Sequence, residues 1–183
     1  MSPRMPSPSM VVPEAMQPLR DLVRAVNNVG VPLRTLVLVH LRVSQVNGRS
    51  VQIPVKKREF EEAGEEDYRL PLVATWREQT CFTDAERAAL ALGEAATLIS
   101  ECEDPVPDAV WDDAARHYNQ QELGALVIHI GLVNFWNRVN VVTRQEPVDW
   151  RVNPKNWTPM TSRVPSPRWP RWPRWARLAR GGR

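Results

Sequence analysis

This chain is poor in the side chains that redox and metal chemistry draw on. Its 183 residues include two cysteines and three histidines. Cys81 and Cys102 lie far apart and share no metal-ligand or redox spacing, so the reading is two separate reduced thiols, with a disulfide or a two-Cys redox pair as the alternatives. Three histidines without clustered Cys or carboxylates exclude a metal site recognisable by spacing, and no metal or cofactor is expected. No apolar run approaches the ~20 residues of a bilayer span. The opening MSPRMPSPSMVVPEAMQ lacks the continuous apolar core of a secretory signal, so the expected location is cytoplasmic. Ser44 and Thr143 stand in no nucleophile-elbow context, which argues against a hydrolase. Acid is missing altogether from one region. Nine of the 24 basic residues and none of the 21 acidic ones follow position 150, leaving residues 1–150 at −6 although the whole chain is +3.

What is present divides the chain into three parts. Residues 1–15, rich in Pro and Ser, are expected to be disordered. Residues 16–149, within a chain that is 43% apolar, carry enough apolar sequence for one all-α domain of about six helices. A first helix is predicted over Met16–Asn28, with Leu19, Leu22, Val23 and Val26 at helical spacing. Asn27, Asn28 and Gly30 stop it. Pro32 suits the start of a second helix from Leu33 to Val46, apolar nearly all round and therefore the buried centre, though its β-branched content also permits a strand. A charged third helix from Pro54 to Ala63 and a short one over Tyr68–Glu78 follow. Thr83-Asp84-Ala85-Glu86 is a capping box opening an Ala-rich helix to about Ser100. Asp108–Tyr118 forms a short amphipathic helix. Asn119 caps the last long helix, whose stripe is Leu123, Leu126, Val127, Ile130, Val133, Asn137 and Val141.

The stretch Arg34–Lys56, RTLVLVHLRVSQVNGRSVQIPVK, anchors a resemblance. It resembles the centre of the alkylhydroperoxidase D-like, or carboxymuconolactone decarboxylase, family, where a helix reading LRVSQxNG leads into Cys-x-x-Cys and then a His four residues on. Residues 74–92, ATWREQTCFTDAERAALAL, are similar to that family's WRE…FT..ERAALAL segment, and 133–141, VNFWNRVNV, to its WNR signature. The resemblance spans about residues 16–146. It implies a helical bundle that assembles into dimers, trimers or hexamers. In the family a cysteine at a helix amino terminus attacks peroxide, a second resolves it, and Glu and His move protons. By the same resemblance the two cysteine positions hold Arg49 and Gln52, the His position Lys56, and the relay glutamate position Val37. None of these can cycle electrons or relay the protons.

Arg49 and Lys56, near Asn47 at a helix start, instead suit an anionic small molecule, unless they face solvent or pair with Glu59, Glu61 or Glu62. His40 is a candidate general base, or else a hydrogen-bonded core residue. With His129, Asn137 and Arg138 it would line one pocket. Three readings stand: a redox-inactive oligomeric structural or ligand-binding protein; a cofactor-free lyase or isomerase using the ancestral pocket; and residual alkylhydroperoxidase activity through Cys81 or Cys102. From Trp150 the chain becomes a basic tail with five of the eight tryptophans and a period-three Arg-Trp-Pro repeat. In a polyproline II helix, with about three residues per turn, Trp and Arg would take separate edges. Such a tail suits an anionic membrane, nucleic acid, or the oligomer itself, or else is an extension with no dedicated partner.

Overall fold

The computed structural model describes residues 2–49, 68–100 and 103–145. Helices α1 (Pro8–Val11), α2 (Met16–Asn27), α3 (Leu33–Val46), α4 (Arg69–Leu72), α5 (Asp84–Ala95), α6 (Asp108–His117) and α7 (Gln120–Thr143) are joined by 3-10 turns at Pro13–Ala15 and Val73–Glu78. Among the described residues there is no strand. The fold is an all-α bundle, as the apolar periodicity predicts.

α3 is the centre for a reason visible in its sequence. Thr35, Leu36, Val37, Leu38, Val39, Leu41, Val43 and Ser44 are all buried, so every side of the helix must meet protein. Leu36, Val39 and Val43 join a core with Ala88, Ala89, Leu92, Leu126, Ile130 and Val133. On the other side Val37, Leu38 and Leu41 meet Leu70, Val73, Trp76, Phe82 and Leu90. Each fully buried Leu contributes about 1.5–3 kcal/mol by leaving water. α5 packs close: a Cβ on Gly93 would stand 3.4 Å from methyls of Val39 and Val43, just in contact. α3 ends where Gly48 takes the left-handed region at φ 65°, and the Asn47 amide donates to Val43 O at 2.9 Å.

Both expected capping boxes form, Thr83 with Glu86 and Asn119 with Glu122. The differences have local causes. The segment from Tyr68 to Glu78 is not one helix: α4 stops at Leu72 and the 3-10 turn that follows is kinked at Thr75, whose backbone at φ −118°, ψ 31° is not helical. α5 ends at Ala95, short of Ser100. In α7, Leu123, Leu126, Ile130, Val133 and Asn137 are buried, while Val127 and Val141, expected in the same stripe, are exposed at its margin. α7 lies against α3 and α2. By length and composition alone it is also long and apolar enough to cross a membrane, although polar residues interrupt its apolar sequence. Residues 8–15, read from sequence as disordered, hold helical turns, and Arg4 N donates to Thr143 O at 2.9 Å. The predicted helix from Pro54 to Ala63, Lys56, Gln52, Cys102 and the tail lie outside the described residues.

Candidate functional site

Arg49 follows the left-handed Gly48, and its backbone N–H donates to Ser44 O at 2.9 Å. Its guanidinium reaches the carboxyl end of α7, where Nη2 donates to Gln145 O at 3.5 Å. Helix carbonyls concentrate partial negative charge there, so a cation is favoured. Arg4 adds a second, Nη1 donating to Val142 O at 2.9 Å, and Gln145 Nε2 donates to Met5 O at 2.7 Å. Arg49 thus closes a helix end in this structure.

Beside it runs a layer of neutral polar side chains between α3, α5 and α7. The Asn47 amide also donates to Asn134 Oδ1 at 2.9 Å. Asn134 Nδ2 donates to Thr97 Oγ1 and Ile130 O, and Thr97 Oγ1 donates to Gly93 O. Asn137 Nδ2 donates to Ser44 Oγ at 3.3 Å, with Ser44 Oγ 3.5 Å from Asn137 Oδ1. These side chains are buried or nearly so, and their mutual bonds offset the cost of leaving water.

The four residues expected to share a pocket divide. His40 and His129 pack together, ring centroids 6.0 Å apart and tilted by 56°. His129 Nε2 is 2.9 Å from Leu36 O, which makes Nε2 the protonated nitrogen. Asn137 turns to Ser44. Arg138, one residue on and exposed, donates from Nη1 to Asn134 O at 3.3 Å.

A second polar layer was missed from sequence as a layer, although Arg42, Trp76, Arg77, Glu86 and Arg87 stand in quoted motifs; Arg69, Glu94 and Tyr118 do not. Glu94 accepts from Arg42 Nε, from Trp76 Nε1 at 2.8 Å and from Arg77 Nη2 at 2.5 Å. Burial pushes its carboxyl pKa up, but the hydrogen bonds from Arg77, Trp76 and Arg42, with the Arg42 charge, outweigh burial and hold it below the ordinary value. Glu86, 2% exposed, accepts from Arg69 Nη2 at 2.6 Å and from Thr83 N at 2.9 Å. Arg87 donates to the carbonyls of Trp76, Arg77 and Gln79. Tyr118 donates to Ala85 O at 2.8 Å; burial, with Glu86 and Glu122 nearby, pushes its phenol up to about 12. The partial signal was the WRE…ER spacing: Arg87 donates to the Trp76 and Arg77 carbonyls, whereas Trp76 and Arg77 reach on to Glu94 and Glu86 to Arg69. Cys81 is a free, partly buried thiol at the edge of the Trp76–Phe82 core. Among the described residues no cluster of three His, Cys, Asp or Glu could hold a metal ion.

The model of the carboxymuconolactone decarboxylase family matches residues 12–95. YdfG of Bacillus subtilis, an uncharacterised protein, is 30% identical over 131 residues, 72% of this chain and 88% of YdfG. The chain belongs to the carboxymuconolactone decarboxylase family. YnjA of Escherichia coli, also uncharacterised, is 32% identical over 103 residues, 56% of this chain and 55% of YnjA. A crystal structure from Agrobacterium tumefaciens matches with a TM-score of 0.70 and 30% identity, covering 81% of this chain and all of that one. That protein, ATU0492, is of unknown function and was proposed to be the antioxidant defence protein AhpD. The matched residues 12–95 take in α2 to α5, and so the Asn47-Gly48 turn and Arg49.

Proposed function

We propose that this family member works without a dithiol, as a cytoplasmic, oligomeric structural or ligand-binding protein rather than a peroxidase. The observation that carries the reading is the side chain after Asn47-Gly48. An arginine stands where the family resemblance puts the nucleophilic cysteine, and its guanidinium is turned to Gln145 O. A guanidinium can neither be oxidised to a sulfenic acid nor resolve one. The oligomeric part is supported by the outer face of α7, where Gly124, Val127, Ile128, Gly131 and Phe135 are exposed. The ligand class that fits is a small anion, met by the exposed Arg138 and the remaining donors of Arg49.

The test is peroxide consumption by the purified chain with a dithiol reductant, before and after alkylation of its thiols. Rates at the level of buffer, unchanged by alkylation, are expected. Turnover abolished by alkylation would return Cys81 or Cys102 to a catalytic role. Light scattering should show more than one copy per particle, reduced by Phe135→Glu.

A further inference from the structure

Asn47-Gly48 stops α3, and the same two residues carry a covalent chemistry of their own. An asparagine side chain before glycine is open to attack by its own backbone, because glycine adds no Cβ to hinder the approach. The Gly48 nitrogen bonds to Asn47 Cγ, the Cγ–Nδ2 bond breaks, and ammonia leaves with the proton from Gly48. Water then opens the resulting succinimide ring at either carbonyl, giving aspartate or isoaspartate. Nothing is oxidised or reduced, and water is the co-reactant.

Water can reach this turn, but the ring cannot close in it. Gly48 is exposed, and a Cβ built on it would meet nothing within 4 Å. Closure requires Gly48 N to swing beside Asn47 Cβ, whereas at the Asn47 ψ of 8° it lies against Asn47's own nitrogen. Hydrogen bonds hold it there. Gly48 N donates to Gln45 O and Arg49 N to Ser44 O, both at 2.9 Å. Asn47 Nδ2 donates to Val43 O and to Asn134 Oδ1, again at 2.9 Å. The buried Asn134 donates in turn from Nδ2 to Thr97 Oγ1 and Ile130 O, which keeps its oxygen turned to Asn47.

We infer that Asn47 is a deamidation site gated by the amide layer, reached by local opening of the turn and not by unfolding of the bundle. Opening frees the Asn47 side chain and the Gly48 N–H together, since both are held by the same turn. The reaction also bars its own reversal. A carboxylate at position 47 only accepts hydrogen bonds, and it would face Val43 O and Asn134 Oδ1, which are acceptors too. Isoaspartate in addition lengthens the backbone of the turn by a methylene. The turn therefore cannot regain the bonds that guarded it. The inference is independent of the redox reading, since it uses backbone and amide groups and no thiol.

The test is to hold the full chain in warm, mildly alkaline buffer and follow its tryptic peptide Val43–Arg49 by mass spectrometry. The same peptide made synthetically gives the unguarded rate, and chromatography separates aspartate from isoaspartate. The folded chain should react more slowly than the peptide by about tenfold or more. Asn134→Ala, which removes one bond from Asn47, should speed the reaction of the folded chain by about tenfold. Tyr118→Phe weakens the fold at the other end of α5 and should leave the rate within about twofold of wild type. Asn47→Asp should melt at a lower temperature than wild type. A folded chain that reacts as fast as the peptide would overturn the inference. So would equal acceleration by Asn134→Ala and Tyr118→Phe, which would mark global unfolding as the route, or an Asn47→Asp melt identical to wild type. Should Asn134→Ala not fold, the wild-type rate set against the peptide decides alone.

Discussion

α3 serves two polar layers of opposite character. On one side Arg42 reaches Glu94, and with Arg69 on Glu86 this side is ionic. On the other, Ser44 and Asn47 meet Asn137 and Asn134, and this side is made of amides and hydroxyls. The ionic layer draws its arginines from α3, α4 and the Val73–Glu78 turn onto two carboxylates of α5. It ties down segments too short to hold themselves, α4 being four residues long. The amide layer joins long helices that the core already holds, so its work is to fix how they are set against one another. Charge reaches farther and costs more when broken; amides discriminate geometry at lower stake.

The largest effect should come from the ionic side. Glu86→Ala leaves the buried Arg69 guanidinium without its carboxylate and should cost about 3–5 kcal/mol in urea unfolding; a loss under about 1 kcal/mol would erase the contrast. Glu94 gives the same layer a pH signature. Its folded pKa is below the unfolded value, so its stabilisation is full above the unfolded value of about 4.3 and is lost as pH falls through the folded one. Glu94→Gln should flatten that acid limb in melts taken across pH.

The amide side should respond less. Asn134→Ala removes one bond each from Asn47 and Thr97, which keep Val43 O and Gly93 O, and should cost about 1–2 kcal/mol. Ser44→Ala with Asn137→Leu removes both partners, and the double variant should cost less than the sum of the singles. Tyr118→Phe should cost about 1 kcal/mol for the bond to Ala85 O. The Tyr118 phenol titrates higher folded than unfolded, so the wild type loses stability as pH rises from the unfolded value of about 10 toward about 12, and the variant should lack that contribution. Arg49→Gln is the mildest, about 0.3–1 kcal/mol at the end of α7, read as a shift in melting temperature.

Much of the frame was legible because it rests on local chemistry. The bounds of α3, Leu33 to Val46, follow from Pro32 before and Asn47-Gly48 after, and the starts of α5 and α7 from Thr83 and Asn119. What escaped depends on distant partners. Glu94 and Arg42 are far apart in sequence, and no periodicity announces their pairing. Asn137 was read as facing a pocket from its spacing to His129; it meets Ser44, a partner on another helix that α7 alone does not reveal. Val127 and Val141 were placed in the buried stripe on apolarity, but burial depends on how far α2 and α3 wrap around α7. Arg49 was read through the charge it could offer a ligand, whereas among the described residues it donates to the chain's own Gln145 O.

The contact of Gly93 with Val39 and Val43 has a bearing on how this sequence can change over time. A methyl there would just touch both valines at 3.4 Å, so any longer side chain must find room, and a smaller residue at 39 or 43 is the nearest way to make it. The three positions are therefore free to drift only in concert, so that a survey of viable variants should find bulk at 93 only where one of the two valines has already been trimmed.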